Sequence, residues 1–339
     1  MSIMTISTTR AMNLSATQRL IAITVAGMVV TLSATAAWAQ TYPVKPVRIV
    51  VPFPPGGSSD LLARRLAEKM QASFGQSVIV ENRAGAGGTI GSEAVAKSAP
   101  DGYTLLLGVT GTHAISASLN PKLGYDPVRD FSAISLVVSV PLVLVTGNTF
   151  PARTLAEVTA AARARPSAVT FGSPGNGTSM HLTGELYNIQ AGVNTTHVPY
   201  KGSAGAMNDL LGGQIAMIWS DILVALPQIR AGKIRAIATT GAKRHYALPD
   251  VPTVTEAGLS GVEVNSWQGL FGPANMPRDL VARISTEVSR ALAQTDVREF
   301  LSNLGFEPIG SSPEVFARHV QSEVTRWARV VKTAGVRAD

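Results

Sequence analysis

Short apolar runs alternate along the chain with amphipathic stretches of helical period. The run VRIVVPF (47–53) is typical of a buried strand, and Leu62, Leu66 and Met70, spaced i, i+4 and i+8, predict one face of the following helix. The same patterns predict strands in 77–82, 103–110, 135–147, 168–173, 214–221 and 233–240, and helices over 89–98, 154–164, 178–190, 203–211, 221–231, 278–293, 297–303 and 313–332. This alternation predicts an α/β fold with parallel sheets covered by helices.

Two stretches have the pattern of connections between lobes. The apolar segment 135–147 is unusually long for a strand and carries Pro141 in its middle, where a ladder hydrogen bond is lost. The segment 262–277 is extended and follows a proline-rich loop. Two such crossings predict a first lobe of residues 41–141 plus 263–339 and a second lobe of residues 142–262, an arrangement suited to ligand capture in a cleft.

The N-terminal 39 residues have the pattern of a secretory signal peptide. Arg10 and Arg19 precede an apolar run from Leu20 to Ala36, and the small residues of Ala37-Trp38-Ala39 close it. This order predicts export to the periplasm with cleavage after Ala39. A membrane anchor is the alternative, because the run is near the lower length limit for spanning a bilayer. Translation from Met1 or from Met12 is left open.

Composition narrows the class of protein. Without the predicted signal the chain has about 300 residues, more than one ordinary core requires, which favours two domains. The sequence contains no cysteine, which excludes disulfides, thiolate catalysis and cysteine-bound metals. The net charge is +7, but the basic residues are scattered and lack interleaved aromatic residues, so no nucleic-acid partner is predicted. A mild positive field instead favours anionic small molecules.

The segment FPPGGSSD (53–60) joins the first strand to the first helix with an unusual number of special residues. Gly56 and Gly57 remove side chains that would block a ligand, Ser58 or Ser59 can cap the helix, and Asp60 falls in its first turn. Free backbone N–H groups at such a helix terminus bind anions, including carboxylates. The alternative is a tight turn with no ligand.

Similar loops follow four other predicted strands, in segments 108–115, 172–182, 198–206 and 219–221. Because ligands of open α/β sheets lie beyond the carboxyl ends of the strands, the five loops predict one shared cleft. The residues predicted to contact a ligand there are Pro55, Gly56, Gly57, Ser58, Ser59, Asp60, Thr110, Thr112, His113, Asn176, Gly177, Thr178, Ser179, His181, Tyr200, Lys201, Gly202, Asp221 and Trp267. For the two histidines a structural role is the alternative, for Lys201 a solvated loop position, and for Trp267 a place in the core.

Catalytic motifs are missing from the sequence. GAGGTIG (85–91) lacks the last glycine of the dinucleotide fingerprint, and no phosphate loop, G-x-S-x-G elbow or H-E-x-x-H motif occurs. The five histidines are isolated from one another along the chain. No enzyme activity, cofactor or metal is therefore predicted.

Several motifs carry a resemblance to a known family, among them VPFPPGGSSDLLAR, VENRAGAGGTIG, SPGNGTSMHL, VPYKGSAGA and SWQGLFGPANMP. In this order they resemble the Bug family of extracytoplasmic solute receptors, the substrate-binding subunits of tripartite tricarboxylate transporters, over nearly all of residues 42–335. The resemblance implies a type II periplasmic binding protein fold, a small carboxylate held by amides, hydroxyls and water, and membrane transporter subunits as partners. Ser116 and Gln268 depart from the family pattern, in which asparagine and an aromatic residue are common.

Two alternative functions are also compatible with a signal peptide and two lobes. A periplasmic sensor that reports ligand state to a membrane kinase has the same sequence features as a transport receptor. A secreted hydrolase requires a nucleophile and a base, which the motifs do not provide. The identity of the carboxylate is left open by the sequence.

Overall fold

The computed structural model describes residues 42–336. The predicted signal peptide and its cleavage site lie outside the described residues. Among the helices that the structure describes, none combines the length and apolar character needed to cross a bilayer.

Strands and helices alternate as the hydrophobic pattern predicts. The strands are β1 (Val47–Val51), β2 (Val78–Asn82), β3 (Thr104–Val109), β4 (Phe131–Gly147), β5 (Thr170–Ser173), β6 (Thr196–Pro199), β7 (Met217–Asp221), β8 (Ile234–Thr239), β9 (Asn265–Pro273) and β10 (Glu307–Pro308). The helices are α1 (Ser58–Phe74), α2 (Thr89–Ala96), α3 (Ser116–Leu119), α4 (Leu155–Ala164), α5 (Ser179–Ala191), α6 (Ser203–Leu211), α7 (Ile222–Arg230), α8 (Arg278–Ala293), α9 (Thr295–Asn303) and α10 (Pro313–Ala334). A π-helical turn, Gly111–Ile115, leads into α3.

The strands follow the order β2-β1-β3-β9-β4-β7-β5-β6, with β10 and β8 also paired to β4. Strand β1 is parallel to β2 and β3, and β5 is parallel to β6 and β7. Strands β4 and β9 run antiparallel to their neighbours. The predicted parallel pairing therefore holds within β1–β3 and within β5–β7, whereas the two long crossing strands enter the sheets in the opposite direction.

Strand β4 belongs to two sheets in succession. Its first part pairs with β9 as far as Pro141 opposite Asn265, and from Leu142 opposite Asp221 onwards it pairs with β7. Proline has no N–H to give to a ladder, so it fits the residue at which a strand leaves one sheet for the next. The carboxyl ends of β1 and β3 in the first sheet and of β5, β6 and β7 in the second carry the five loops that the sequence singled out.

The last helix is fixed to the first sheet by a buried carboxylate. Glu323 of α10 is 7% exposed, and its Oε2 accepts hydrogen bonds from the indole Nε1 of Trp267 in β9 at 3.1 Å and of Trp327 at 3.0 Å. Arg326, one turn along the helix, lies 3.5 Å from the other oxygen. A buried charge with these partners is satisfied in place, so it ties α10 to the strand that borders the cavity described below.

Candidate functional site

A cavity of about 420 Å³ lies at the carboxyl ends of the strands. Its wall is formed by loops from both sheets and by one face of β9. The lining residues are Phe53, Pro54, Pro55, Gly56, Gly57, Ser58, Ser59, Asp60, Val109, Gly111, Pro174, Thr178, Ser179, Met180, Lys201, Gly202, Ser203, Ala204, Asp221, Val224, Ser266 and Gln268. The predicted shared cleft is thus present as a cavity.

The N-terminus of α1 opens onto this cavity with a backbone free of side-chain caps. The helix is capped by Gly57, in extended conformation, so the expectation of a serine cap at Ser58 or Ser59 is wrong. Within the described part of the chain, the N–H groups of Ser58, Ser59 and Asp60 have no acceptor. Gly56 has a φ of +85°, a conformation that glycine adopts without strain. These free donors belong to residues that line the cavity.

Asp60 shapes this loop instead of capping it. Its Oδ2 accepts from the Gly56 N–H at 3.0 Å and from Arg64 Nε at 3.0 Å, and its Oδ1 accepts from Asn82 Nδ2 at 3.0 Å. Burial alone would raise the pKa of Asp60, but the hydrogen bonds from Arg64, Gly56 and Asn82 outweigh it and hold the pKa below its usual value. The ionised Asp60 side chain therefore holds the glycine turn in place through its hydrogen bond with Gly56.

Two further helices begin at the cavity. Thr178 caps α5, since its Oγ1 accepts from the His181 N–H at 3.3 Å and donates to the Gly175 carbonyl at 2.8 Å. Helix α6 begins after Gly202 with no side-chain cap. In the described structure the backbone N–H groups of Ser179 and of Ser203 have no protein acceptor. Three helices of nine residues or more thus direct their positive ends and free donors to one space.

The wall beside the α1 terminus also carries hydrogen-bond acceptors. Asp221, at the end of β7, is 5% exposed, and its Oδ2 accepts from Ser58 Oγ at 3.3 Å. Ser58 Oγ in turn accepts from Gln268 Nε2 at 3.3 Å. Burial raises the pKa of Asp221 to about 6, while the hydrogen bond from Ser58 acts in the other direction. The Oε1 atom of Gln268 is buried and has no partner in the described part of the chain.

Four predicted residues near β3 and β9 are buried in the core instead of lining the cavity: Thr110, Thr112, His113 and Trp267. Trp267 points away from the cavity to Glu323, and the Thr110 hydroxyl accepts from the Trp267 backbone N–H at 2.9 Å. Thr112 donates to the Val109 carbonyl, and the His113 ring stacks on Phe271 with centroids 4.0 Å apart. Burial lowers the pKa of His113 to about 3, so its ring is neutral. None of the four lines the cavity, and the structural alternatives account for their contacts.

Four further predicted residues lie outside the cavity wall, in the loops of the second sheet: Asn176, Gly177, His181 and Tyr200. The His181 ring accepts from the Gly177 N–H at 3.1 Å and stacks on His197 at 3.8 Å. Burial, with a smaller contribution from His197, lowers the pKa of His181 to about 3. Tyr200 donates to Asp209 at 2.7 Å. Asn176 belongs to the same loop without lining the cavity. These residues support the loop that carries Thr178 and Ser179.

The remaining predicted residues lie together on the wall: Pro55, Gly56, Gly57, Ser58, Ser59, Asp60, Thr178, Ser179, Lys201, Gly202 and Asp221. Sequence reasoning missed Ser266 and named Gln268 only as a departure from the family pattern; the two residues line the cavity on either side of Trp267. Residues two apart on a strand share a face, so the strand period places these two residues together and Trp267 on the opposite face. It also missed Phe53, Pro54, Val109, Gly111, Pro174, Met180, Ser203, Ala204 and Val224, most of which are small or apolar.

One serine and histidine pair bears on the hydrolase alternative. Ser173 Oγ lies 2.7 Å from His197 Nε2, the contact that an activated serine makes. Ser173 is 1% exposed, and it is not among the residues that line the 420 Å³ cavity. Ser173 Oγ also donates to the Gly175 carbonyl and accepts from the Gly175 N–H, so the pair supports the loop after β5. Among the described residues, no group of three or more histidine, aspartate or glutamate side chains is placed to hold a metal ion.

A ligand-sized cavity at strand ends, between sheets that share one long strand, is the arrangement of a solute-binding protein. Solved structures agree with this class. The chain superposes on R. palustris Rpa4515, determined with adipate, with a TM-score of 0.84, 37% identity and coverage of 87% of this chain and 99% of that one. MatC from Rhodopseudomonas palustris, with bound malate, gives a TM-score of 0.81, 38% identity and coverage of 86% and 100%. The fold is that of a periplasmic binding protein.

The sequence relationships are more specific. Protein BugT of Bordetella pertussis is 38% identical over 300 residues, which cover 88% of this chain and 92% of BugT. The profile of the tripartite tricarboxylate transporter family receptor matches residues 62–336. The chain belongs to this family of solute receptors, and the Bug resemblance predicted from the motifs is confirmed.

Proposed function

We propose that this protein captures one small carboxylate in the 420 Å³ cavity and delivers it to membrane subunits of a tripartite tricarboxylate transporter. The observation that carries the proposal is the convergence of three helix N-termini, α1, α5 and α6, on that cavity. The carboxylates named for Rpa4515 and MatC support the same ligand class.

Main-chain donors account for most of the proposed binding. A hydrogen bond to a charged group contributes about 1.5–3 kcal/mol, so a few amides from the α1 and α5 termini suffice for micromolar affinity. The helix dipoles favour the negative charge at the same place. Lys201 is exposed at the cavity wall, where water screens its charge, so we assign it a smaller share than the amides.

Two lobes close over the ligand in this proposal. The first comprises residues 41–141 and 263–339, and the second residues 142–262, with the crossing at Pro141 in β4 as one hinge strand. The change of partner strand at Pro141 supports this boundary. Contacts from Ser58 to Asp221 and from Ser179 Oγ to Ser266 Oγ, at 3.3 Å each, would be made and broken as the lobes move.

In the proposed role the protein is exported, loses its signal after Ala39 and acts in the periplasm without turning over its ligand. Calorimetry against a carboxylate library tests this, followed by recovery of the ligand. We expect one ligand per chain, and a thermal shift equivalent to about 2.7 kcal/mol at 100 times Kd. Binding of no carboxylate, or recovery of a chemically altered one, would contradict the proposal.

A further inference from the structure

The cavity wall beside the α1 terminus contains buried acceptors with few donors. Gln268 is 4% exposed, and its Oε1 has no partner within the described residues. Asp221 is 5% exposed and receives one hydrogen bond, from Ser58 to Oδ2, in the described part of the chain. Both residues line the cavity. A buried carboxylate with a single donor is costly, so Asp221 favours a second donor from whatever occupies the cavity.

The direction of the hydrogen bonds follows from the single hydrogen of Ser58. A hydroxyl has one O–H, and an ionised Asp221 accepts only, so Ser58 donates to Asp221. Ser58 Oγ then accepts, which places the amino group of Gln268 against it and leaves Oε1 as the free atom. The chain Gln268–Ser58–Asp221 therefore fixes the orientation of the amide, whose Oε1 is shielded from the cavity, and leaves the Asp221 carboxylate as the acceptor on the cavity wall.

We infer that the ligand is a carboxylate that also carries a hydrogen-bond donor, an ammonium or a hydroxyl group, which binds to Asp221. The inference rests on the proposed carboxylate capture and narrows its ligand class. The carboxylate lies against the amides of α1, α5 and α6, and the donor group points to Asp221, which borders the α1 terminus through Ser58. A plain acid of the same length brings no donor to Asp221 and places its own negative charge near that residue.

The charges around the cavity support separate positions for the ligand's carboxylate and for its donor group. Asp60 is paired with Arg64, and its other described partners are the Gly56 N–H and the Asn82 side chain. Lys201, the other charged residue of the wall, is exposed. Asp221 therefore has no cation against it among the residues that line the cavity. A carboxylate brought into the same space meets this anion, and a donor group on the ligand offsets the repulsion.

The test compares matched acids that differ in one group. The first set is succinate, L-malate and L-aspartate, the second is glutarate, 2-hydroxyglutarate and L-glutamate, and the third is propionate, L-lactate and L-alanine. Kd is measured by calorimetry at pH 7.5 for the full mature chain, for Asp221→Asn and for Asp250→Asn. Asp250 is exposed and lies outside the cavity wall, so its substitution is the matched control.

In each set that binds, we expect the donor-bearing acid to bind at least 10-fold tighter than the plain acid. Asp221→Asn should weaken an ammonium-bearing ligand 10- to 100-fold and a hydroxyl-bearing one less than 10-fold, which separates the two kinds of donor. It should leave plain acids unchanged or tighter. Asp250→Asn should bind like the unmodified chain.

Two results overturn the inference and are distinguishable. Tighter binding of a plain acid than of its donor-bearing partners, unaffected by Asp221→Asn, refutes the donor requirement while carboxylate capture stands. Absence of binding by all nine acids and by the wider carboxylate library refutes capture itself, and the inference with it. Circular dichroism of each variant ensures that a lost signal reflects binding and not unfolding.

Discussion

Two aspartates of the cavity wall have pKa values displaced in opposite directions. Asp60 is held ionised by Arg64, Gly56 and Asn82, and its pKa is lowered, whereas burial raises the pKa of Asp221 to about 6. Asp60 thus stabilises a loop as a carboxylate, whereas the charge of Asp221 is only partly compensated by its one hydrogen bond. These opposite shifts give the two residues opposite effects on stability.

Asp221→Asn should stabilise the protein at pH 7 and not at pH 3.5. Because the folded pKa of about 6 exceeds the usual 3.8, ionisation costs the folded state stability as pH rises from about 4 to above 6. That difference corresponds to at most roughly 3 kcal/mol at pH 7. Asparagine keeps the acceptor for Ser58 and removes the charge. Urea unfolding of the variant and the unmodified chain at both pH values measures the effect.

Asp60→Asn is the matched control with the opposite sign. Its lowered pKa means that ionisation stabilises the folded state above the usual pKa of 3.8 and that this contribution is lost as pH falls through the lowered value. The substitution should therefore destabilise at pH 7 and have little effect in strong acid. Equal effects of the two substitutions at pH 7 would show that the shifts are misassigned.

Gly56 and Gly57 of the first loop have different roles, one in the conformation of the turn and the other in access to the backbone amides. Gly57 has a φ of −83° and its added Cβ would meet no atom closer than 4.0 Å, whereas Gly56 has a φ of +85°. Gly57→Val should fold with near-normal stability and weaken carboxylate binding by 100-fold or more, because it obstructs the free amides. Gly56→Val should lose stability first, since L side chains disfavour its conformation. Paired melting curves and titrations with the best-binding carboxylate separate the two; normal binding by Gly57→Val contradicts the amide site.

At the scale of elements, the helix caps separate structural from binding roles. Thr178 caps α5 at the cavity, and Thr154 caps α4 by accepting from the Glu157 N–H at 3.2 Å, away from it. Thr178→Ala and Thr154→Ala should each cost about 1 kcal/mol of unfolding free energy. Only Thr178→Ala should weaken carboxylate binding, several-fold, because it loosens the helix terminus that donates. A comparable loss of affinity in Thr154→Ala would remove the special role of α5.

The elements themselves are largely predictable from local patterns, and the exceptions have one cause. The strand before Pro52 and the helix carrying Leu62 and Leu66 follow from periodicity, and the loops at the strand ends follow from composition. The assignment of Trp267 to the cavity failed because the face of β9 that borders the cavity depends on the pairing of β9 with β3 and β4. That pairing joins residues more than a hundred positions apart, and no local pattern encodes it.

At the scale of the molecule, the proposed closure can be measured as a distance. The natural chain has no cysteine, so two introduced cysteines are unique labelling sites. Spin labels at the exposed residues Ile79 and Leu211, one in each proposed lobe, should move closer together when the carboxylate is added. Labels at Ile79 and the exposed Ile309, both in the first lobe, should keep their separation. Equal shifts in both pairs, or a shift in neither, would contradict closure about Pro141.

The pairing of two indoles with Glu323 has an optical consequence. Trp267 lies between the two β9 residues that face the cavity, and Trp327 donates to the same carboxylate oxygen from α10. Filling the cavity changes the field at Trp267, so its emission should shift in wavelength or intensity on ligand addition, with no external dye. Trp267→Phe should abolish most of this signal and Trp327→Phe should retain it. The protein then serves as its own fluorescent sensor, and stopped-flow emission would time each capture and release event.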